Sequence, residues 1–408
     1  MSKTNLYIVY VADAPQTGGA SSSLFELVQR MQERYGAECA VLLPSDGPLV
    51  RKLNDIGVKT VITRHRDFLV PRPAFKYKVA PKYAVEYLRY YANRDSAIRR
   101  AEAAIDFSKV DIIHSNLPRN DIGVELSRKH GIPHVCHLRE LSFSHFRCWS
   151  YRKNPVQYLN DGTNVFIAVS RTCGEAWIDR GVNSEKLCVV YNGIDVDALA
   201  RKCRVIRTSK VREDEVVRLI FLGGCVEAKG IWDAVGAVAE LTPLLGKKIT
   251  LDIYGYNGKG SAYAAVMRYV AAHKLQNNVT VHGETNDVAA AMAGHDIGLV
   301  CSDGEAFGRV IVEYWAAGLA VVGADTGAVP ELFENGTRGL LYSKHGGAVA
   351  LASVLYEFVQ AKSMMLELRE RGVGFAEDYD IEKTVTSVWG VYNSLIYHGP
   401  RTVPPCCG

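Results

Sequence analysis

The chain has 408 residues, of which 48% are hydrophobic and 23% are charged, and these globular proportions exclude a disordered or fibrous protein. The formal net charge of +4 is too small for a dedicated nucleic-acid binder. No apolar run approaches the roughly 18 residues that a membrane-spanning helix needs, and the length predicts two domains with a core each.

The first predicted element is a buried strand over Leu6–Val11. This apolar run is too short for the core of a signal peptide, and no small-residue cleavage site follows it. We therefore expect the protein in the cytoplasm.

Short β-branched strands alternate with longer helical patterns along the whole chain, which is typical of parallel α/β architecture. The strands predicted in the first half are Leu6–Val11, Cys39–Leu43, Val58–Ile62, Val110–His114, His134–His137, Val165–Val169 and Cys188–Tyr191. Those in the second half are Arg218–Gly223, Thr250–Tyr254, Val279–His282, Ile297–Cys301, Ala320–Gly323 and Gly339–Tyr342. The predicted helices include Ser22–Tyr35, Trp232–Leu241 and Arg309–Ala317.

This alternation predicts two doubly wound, Rossmann-like α/β domains that face each other across a cleft. The first domain is expected over residues 1–195 and the second over 217–380. Residues 196–216 are strongly charged and lack strand character, so they are expected to form a linker. The remainder, 381–408, is expected to be a helix that packs back on the first domain, followed by a tail.

Two glutamates, Glu305 and Glu313, stand eight residues apart where a strand leads into a helix. In a helix this spacing corresponds to roughly 12 Å along the axis, which a nucleotide sugar can span with one carboxylate on each of two vicinal diols. Free N–H groups of the helix start near Gly308 can hold a phosphate. The alternative is an ordinary buried helix with a solvated Glu313.

A second strand–turn–helix segment, 218–230, contains Gly223, Gly224 and one lysine, Lys229. A cation is mildly unfavourable near a helix N-terminus, so Lys229 there favours a bound anion such as a diphosphate. The alternative is a plain surface lysine.

Two further loops have the small residues that let a backbone approach a ligand closely. Gly18 and Gly19 lie between the first strand and the first helix, where a doubly wound sheet places its ligand. They form neither a Walker A loop nor a complete dinucleotide fingerprint. The segment 326–331 ends in Glu331 at a predicted helix start.

Taken together in order, these motifs resemble glycosyltransferase family 4, retaining nucleotide-sugar transferases with the GT-B fold. The resemblance rests on E-x7-E (305–313), G-G…K-G (223–230), T-G-x-V-P-E (326–331), N-G-I-D (192–195), D-I-I-H-S-N (111–116) and G-G (18–19). It extends over nearly the whole chain, and the second half matches better than the first.

The resemblance implies a role for each matching position. Glu313 would hold the ribose hydroxyls, and Glu305 with the backbone of Phe307 and Gly308 would contact the donor sugar. Lys229 would bind the diphosphate beside the turn of Gly223 and Gly224.

In the first domain, Gly18 and Gly19 would let the loop approach the diphosphate and the acceptor. His137 looks like the family's active-site histidine, which lies beside the transferred sugar. The alternative for His137 is a hydrogen-bonded histidine at a strand end.

The sequence departs from the family pattern at Gly224, where an arginine usually follows the glycine and helps to clamp the diphosphate. Arg309, just after Gly308, can supply the missing cation; this is a hypothesis. Lys229, Arg309 and the helix start can stabilise the leaving group, so no metal and no cofactor are expected. The donor is expected to be a UDP-sugar, by family frequency alone.

Residues 64–100 contain ten Lys and Arg, three Asp and Glu, and seven Phe and Tyr. Such a segment suits an anionic membrane surface or an anionic or sugar-rich acceptor, although a solvated helix with packed tyrosines explains it equally well. A second such cluster lies at 145–153. We expect a peripheral enzyme on the inner face of the membrane, acting on a lipid-linked glycan, polysaccharide or other cell-envelope acceptor, with no nucleic-acid partner.

Two other functions fit the same architecture. One is a UDP-sugar 2-epimerase, which would release no free nucleotide in steady state. The other is a non-catalytic nucleotide-sugar-binding protein, suggested by Gly224 and disfavoured by the presence of both Glu305 and Glu313.

Overall fold

The computed structural model describes residues 5–16, 18–71, 80–141, 148–208, 215–255, 261–285 and 287–397. The chain divides into two compact units. The first comprises Met1–Asn192 together with Ile381–Gly408, and the second comprises Gly193–Asp380.

The first unit is built on a parallel sheet in the order β3-β2-β1-β5-β6-β8-β9, with a separate antiparallel pair, β4 and β7. Its strands are β1 Tyr7–Val11, β2 Glu38–Leu43, β3 Lys59–Ile62, β4 Leu69–Pro71, β5 Ile112–Ser115, β6 His134–Leu138, β7 Cys148–Ser150, β8 Val165–Ala168 and β9 Leu187–Val189. Its helices are α1 Gly19–Tyr35, α2 Pro48–Asp55, α3 Ala80–Ala104, α4 Ile122–His130, α5 Pro155–Gly162, α6 Arg171–Ile178 and, last in the chain, α15 Ile381–Tyr397.

The second unit is built on a parallel sheet in the order β12-β11-β10-β13-β14-β15. Its strands are β10 Val217–Phe221, β11 Ile249–Ile253, β12 Val279–Val281, β13 Ile297–Val300, β14 Ala320–Ala324 and β15 Leu340–Tyr342. Its helices are α7 Val196–Thr208, α8 Ile231–Leu245, α9 Ser261–Ala272, α10 Val288–Ala293, α11 Arg309–Ala316, α12 Val329–Leu332, α13 Gly347–Gln360 and α14 Lys362–Glu377.

Both sheets are doubly wound. In each, the strand order reverses beside the first strand, between β1 and β5 in the first unit and between β10 and β13 in the second. Central strands such as β1 and β14 are buried along their whole length, because helices cover both faces of a parallel sheet. The carboxyl ends of the two strands beside a reversal are where such sheets bind ligands.

The segment expected as a linker is largely helical. Helix α7 occupies Val196–Thr208 and belongs to the second unit, where Cys203 is buried and its thiol contacts the carbonyl of Ala289. Charged residues of α7 such as Arg201 and Lys202 are exposed on an amphipathic helix, whose apolar face needs a partner. The segment lacks strand character because much of it is a helix that packs on the second unit, so this lack did not indicate a linker.

Helix α15 belongs to the first unit, although it follows the whole second unit in the chain. Val385, Val388 and Tyr392 are buried in the same core as the strands of the first sheet. The hydroxyl of Thr384 donates to the carbonyl of Tyr191, which anchors the start of the helix.

Within the described residues, no single helix combines the length and the apolar character of a membrane span. Helices α13 and α14 pass that test only when joined, and they meet at a bend of 95°.

Candidate active site

The loops that follow β10 and β13 meet at the point where the second sheet reverses its strand order. The backbone N–H of Asp303 donates to the carbonyl of Ala228 at 3.0 Å and joins the two loops. At Gly230 a β-carbon would lie 1.9 Å from the carbonyl oxygen of Cys301, so only glycine allows this approach. Two sequence motifs about 75 residues apart are thereby held side by side.

Lys229 and Glu305 form an ion pair across these two loops. The Nζ of Lys229 lies 2.7 Å from Oε1 of Glu305, and the hydroxyl of Ser302 donates to the same oxygen. The lysine side chain is 48% exposed and the glutamate 14%, so the carboxylate is fixed and the ammonium faces solvent. An ammonium group has three donors, so Lys229 can bind an anion without releasing Glu305.

Helix α11 begins at Arg309, and Gly308 immediately before it has a φ of 88°. This left-handed conformation favours glycine and turns the loop into the helix. The Nε of Arg309 lies 2.9 Å from Oε1 of Glu313, one turn further along. Both side chains are about one-fifth exposed, so this second pair lies on an accessible face of the helix.

Phe307 contributes differently from its neighbours. Its ring is buried and packs edge-on against Tyr379, with centroids 5.5 Å apart. The side chain therefore supports the core, and only its backbone lies along the loop with Glu305 and Gly308.

The loop of residues 326–331 packs on the backbone of Glu305. The N–H of Ala328 donates to the carbonyl of Glu305 at 2.8 Å. Gly327 has a φ of 54°, and a β-carbon there would lie 2.4 Å from that carbonyl oxygen. The sequence predicted that this loop approaches a ligand closely. In the structure its backbone instead approaches the backbone of Glu305 and holds the loop that carries the Glu305 carboxylate. Glu331 lies in the first turn of α12.

Gly224 adopts a left-handed conformation with a φ of 59°. Its N–H donates to the carbonyl of Tyr254 at 2.9 Å, which ties the turn after β10 to the end of β11. At Gly223 a β-carbon would lie 2.4 Å from the ring of Phe221. The position where the family usually has arginine therefore has a backbone conformation that suits glycine.

In the first unit, Gly18 and Gly19 lie at the start of α1. Both are exposed, and a β-carbon at either would meet nothing within 4 Å. Gly18 precedes the helix in an extended conformation and has no side chain to cap the helix start. Among the described residues, no side chain is recorded as a cap for the first N–H groups of this 17-residue helix, which begins at the strand reversal of the first sheet.

His137 lies in β6 and is 1% exposed. Its Nδ1 is 2.8 Å from Nε2 of His114 on the adjacent strand β5 and 3.3 Å from a guanidinium nitrogen of Arg139. Burial, together with the positive charge of Arg139 and the neighbouring His114, holds the pKa of His137 well below its usual value. His137 is therefore a neutral imidazole.

Arg139, which was not predicted from the sequence, connects His137 to the Gly18–Gly19 loop. Its guanidinium donates to the side-chain oxygens of Asn116 and Asn192, each at 2.9 Å. The amide of Asn116 in turn donates to the carbonyl of Ala20 at the start of α1. Its spacing from His137 could have identified it. Arg139 lies one residue beyond β6, and residues two apart in an extended chain point to the same face of the sheet.

The sequence also predicts that aromatic and polar residues of the loops 254–257 and 282–284 recognise the base of the nucleotide, and the structure describes these loops in part. Tyr254 stacks on His282 with centroids 4.2 Å apart, and His282 shares the carboxylate of Asp252 with His295. Residues 256 and 257 of this prediction lie outside the described residues.

Across the part of the chain that the structure describes, no three His, Cys, Asp or Glu side chains come together in an arrangement that could hold a metal ion.

Two family models match the chain, one to each unit. The model described as Glycosyltransferase Family 4 matches residues 17–198, and the model described as Glycosyl transferases group 1 matches residues 204–373. The chain belongs to glycosyltransferase family 4. The resemblance predicted from the ordered motifs is confirmed.

Curated relatives of this glycosyltransferase are distant. It is 22% identical over 246 residues to the N-acetyl-alpha-D-glucosaminyl L-malate synthase of Bacillus anthracis, covering 60% of this chain and 63% of that protein. It is 24% identical over 303 residues to MJ1178, an uncharacterized glycosyltransferase of Methanocaldococcus jannaschii, covering 74% of this chain and 80% of that protein. The chain thus matches less than two thirds of the length of the first of these relatives.

Solved structures share the fold over almost the whole glycosyltransferase. Alr3699/HepE of Anabaena in complex with UDP superimposes with a TM-score of 0.76 at 21% identity, covering 96% of this chain and 100% of that chain. The same Anabaena protein has also been solved in complex with UDP-glucose. This likeness confirms the prediction of two Rossmann-like domains of the GT-B class.

The described part of the basic segment is only partly free to meet a surface. Phe68 and Tyr90 are buried, whereas Val85, Tyr87 and Leu88 on α3 are between 44% and 68% exposed. Residues 72–79, with Arg72, Lys76 and Lys78, lie outside the described residues, as do residues 145–147 of the second basic cluster.

Proposed function

We propose that this glycosyltransferase moves a hexose-type sugar, with retention of configuration, from a UDP-sugar to a lipid-linked glycan, polysaccharide or other cell-envelope acceptor. The observation that carries the proposal is the pairing of Lys229 with Glu305 and of Arg309 with Glu313. These two pairs place two cations and two carboxylates around one helix start at a strand reversal. A nucleotide-diphosphate sugar requires both kinds of group, one for its charge and one for its hydroxyls.

The cations would act on the leaving group. Negative charge develops on the diphosphate as the bond to the sugar breaks, and groups fixed in advance stabilise it at little reorganisation cost. Lys229 is the more available of the two, because its exposed ammonium can bind phosphate while still paired with Glu305. Arg309 and the N–H groups at the start of α11 would add to it, and we propose that no metal is needed.

Glu305 suits a role in holding the sugar better than a role as nucleophile. One carboxylate oxygen already accepts hydrogen bonds from Lys229 and Ser302, which stabilise the charge and reduce its reactivity. Double displacement would need a free carboxylate beside the anomeric carbon. We therefore propose a reaction on one face of the sugar, in which the departing phosphate accepts the proton of the acceptor hydroxyl.

The donor nucleotide is proposed from the structural relatives. The Anabaena protein with the same fold binds UDP and UDP-glucose, which supports UDP as the nucleotide here. Peripheral contact with the inner face of the membrane is proposed from the net charge of residues 64–100 and from the exposed apolar side chains of α3.

The test is a transfer assay in EDTA with UDP-glucose and UDP-N-acetylglucosamine, against lipid-linked and soluble acceptors. We expect UDP release that depends on acceptor, a product with the anomeric configuration of the donor, and loss of activity in Glu305→Gln. Conversion of the donor sugar without UDP release would instead indicate an epimerase. Donor binding without either reaction would indicate a non-catalytic protein.

A separate measurement addresses the membrane. Flotation with vesicles that contain anionic lipid should carry the wild type and should fail when Arg72, Lys76, Lys78 and Lys82 are neutralised. Flotation that does not depend on anionic lipid would contradict the membrane proposal and leave the transfer reaction untouched.

A further inference from the structure

A chain of buried ring groups runs from His137 into the core of the first unit. Nδ1 of His137 lies 2.8 Å from Nε2 of His114, and Nδ1 of His114 lies 2.5 Å from the hydroxyl of Tyr392. All three side chains are at most 1% exposed. Tyr392 belongs to α15, so the last helix of the chain reaches the histidine of β6 through one intermediate residue.

The partners determine where the protons lie. A guanidinium group only donates, so the contact from Arg139 makes Nδ1 of His137 an acceptor. Nε2 of His114 must then donate to the same nitrogen, which leaves Nδ1 of His114 as an acceptor for the hydroxyl of Tyr392. In a neutral imidazole one nitrogen carries the hydrogen, so His137 carries it on Nε2.

Both imidazoles are neutral in this arrangement. Burial and the charge of Arg139 hold the pKa of His114 well below its usual value, as they do for His137. A second proton on His137 would also place two N–H groups against each other in the 2.8 Å contact.

We infer that His114 and Tyr392 are positioning residues that hold His137 as the Nε2–H tautomer. No described residue hydrogen-bonds to that Nε2. His137 is then a fixed hydrogen-bond donor toward an oxygen of the donor substrate and not a base for the acceptor hydroxyl. This inference rests on the proposed function, in which His137 lies beside the transferred sugar.

The inference predicts that the hydrogens of the two imidazoles rearrange when Tyr392 loses its hydroxyl. Without the hydroxyl of Tyr392, His114 can carry its hydrogen on Nδ1 and accept through Nε2. His137 can then carry its hydrogen on Nδ1 and lose only the 3.3 Å contact from Arg139, whose guanidinium keeps its two 2.9 Å hydrogen bonds to Asn116 and Asn192. Tyr10 supplies a matched control: its ring is equally buried, but its hydroxyl lies 3.4 Å from that of Tyr392, beyond ordinary hydrogen-bond length.

The experiment measures tautomers by long-range ¹H–¹⁵N NMR of the full-length, histidine-labelled protein without substrate, with His137→Gln to assign the signal. We expect Nε2–H on His137 in the wild type and in Tyr10→Phe, and a population of Nδ1–H in Tyr392→Phe. An unchanged tautomer in Tyr392→Phe, or Nδ1–H in the wild type, would overturn the inference.

Kinetics with UDP-glucose separate this inference from the proposed function. Loss of one neutral hydrogen bond in the transition state should lower kcat about tenfold in Tyr392→Phe, with KM little changed, and Tyr10→Phe should leave kcat unchanged. A shifted tautomer with unchanged kcat would support the positioning of His137 and contradict its place beside the sugar. If Tyr392→Phe does not fold, the wild-type tautomer still decides the inference, because Nδ1–H on His137 would contradict the direction of the hydrogen-bond chain.

Discussion

The two Rossmann-like units have the same strand reversal but place opposite kinds of polar group beside it. In the second unit the groups are charged, paired and partly exposed, as in Lys229 with Glu305. In the first unit the group is a neutral, buried histidine fixed by other rings. Ion pairs can exchange partners with a charged ligand at modest cost, whereas a buried hydrogen-bond chain holds one donor in one direction. We propose from this comparison that the second unit binds the charged diphosphate of the donor. The first unit would contribute one directed hydrogen bond, from His137.

The largest effect is expected when the exposed cation of the second unit is removed. Lys229→Ala should lower kcat about 10²- to 10³-fold, which is the usual loss for one fixed group that stabilises a leaving group. Lys248→Ala is the matched control, since Lys248 is an exposed lysine of the same unit paired with Glu215. Steady-state kinetics with UDP-glucose would measure both, and a loss below threefold for Lys229→Ala would contradict the electrostatic role.

Acid should weaken the first unit through its buried histidines. Burial lowers the pKa of His134 to about 4, so between pH 6.5 and 4 the unfolded chain takes up a proton that the folded chain does not. Stability therefore falls as the pH falls, by about 1.4 kcal/mol per pH unit for this residue, or about 2 kcal/mol from pH 6.5 to 5.

The measurement for His134 is hydrogen exchange of the β6 peptide at pH 6.5 and 5, in the wild type and in His134→Asn. The difference between the two proteins isolates His134. Asp67, whose pKa is raised to about 6 by burial, acts in the opposite direction in both. Equal pH dependence in the two proteins would show that His134 is protonated in the folded state.

Arg309 tests whether a second cation compensates for the glycine at 224. Arg309→Ala should weaken UDP-glucose binding about tenfold, the effect of one charge-assisted hydrogen bond. Arg371→Ala is the control, because Arg371 forms the same kind of one-turn pair with Glu367 on an exposed helix face. Calorimetric titration would measure both, and an affinity equal to that of the control would refute the replacement.

The smallest effect is expected at Gly224 itself. A side chain at a φ of 59° is strained, so Gly224→Ala and Gly224→Arg should each lose about 1 kcal/mol of stability. For a unit of this size that corresponds to a fall in Tm of about 2–4 °C. If a missing charge limits donor binding, Gly224→Arg will bind UDP-glucose more tightly than Gly224→Ala. Two variants with wild-type Tm would contradict the strain.

The sequence was sufficient for most of the fold, since the thirteen predicted strands of the two sheets appear in the same order with ends shifted by one or two residues. Buried parallel strands are continuous apolar runs, which a sequence displays directly. The pair of β4 and β7 was missed, because each has only three residues and their partnership joins segments about 80 residues apart.

The candidate site was also predicted only in part from the sequence. Glu305, Glu313 and Lys229 could be singled out from local motifs, and the structure pairs Lys229 with Glu305. His114 and Tyr392 are 278 positions apart, and only the packing of α15 against the first sheet brings them together. The left-handed conformation of Gly224 was also invisible, because glycine is compatible with every backbone conformation.

The most direct test of the central claim is thermal stabilisation by UDP-, GDP- and ADP-glucose in EDTA, for the wild type, Glu313→Ala and the control Glu367→Ala. A ligand at 100 times its Kd adds about 2.7 kcal/mol of stability, so binding of moderate affinity is visible. We predict stabilisation of the wild type and of Glu367→Ala by UDP-glucose, and its loss in Glu313→Ala. Equal stabilisation of all three proteins, or none by any of the nucleotide sugars, would contradict a donor site built on the ion pairs of the second unit.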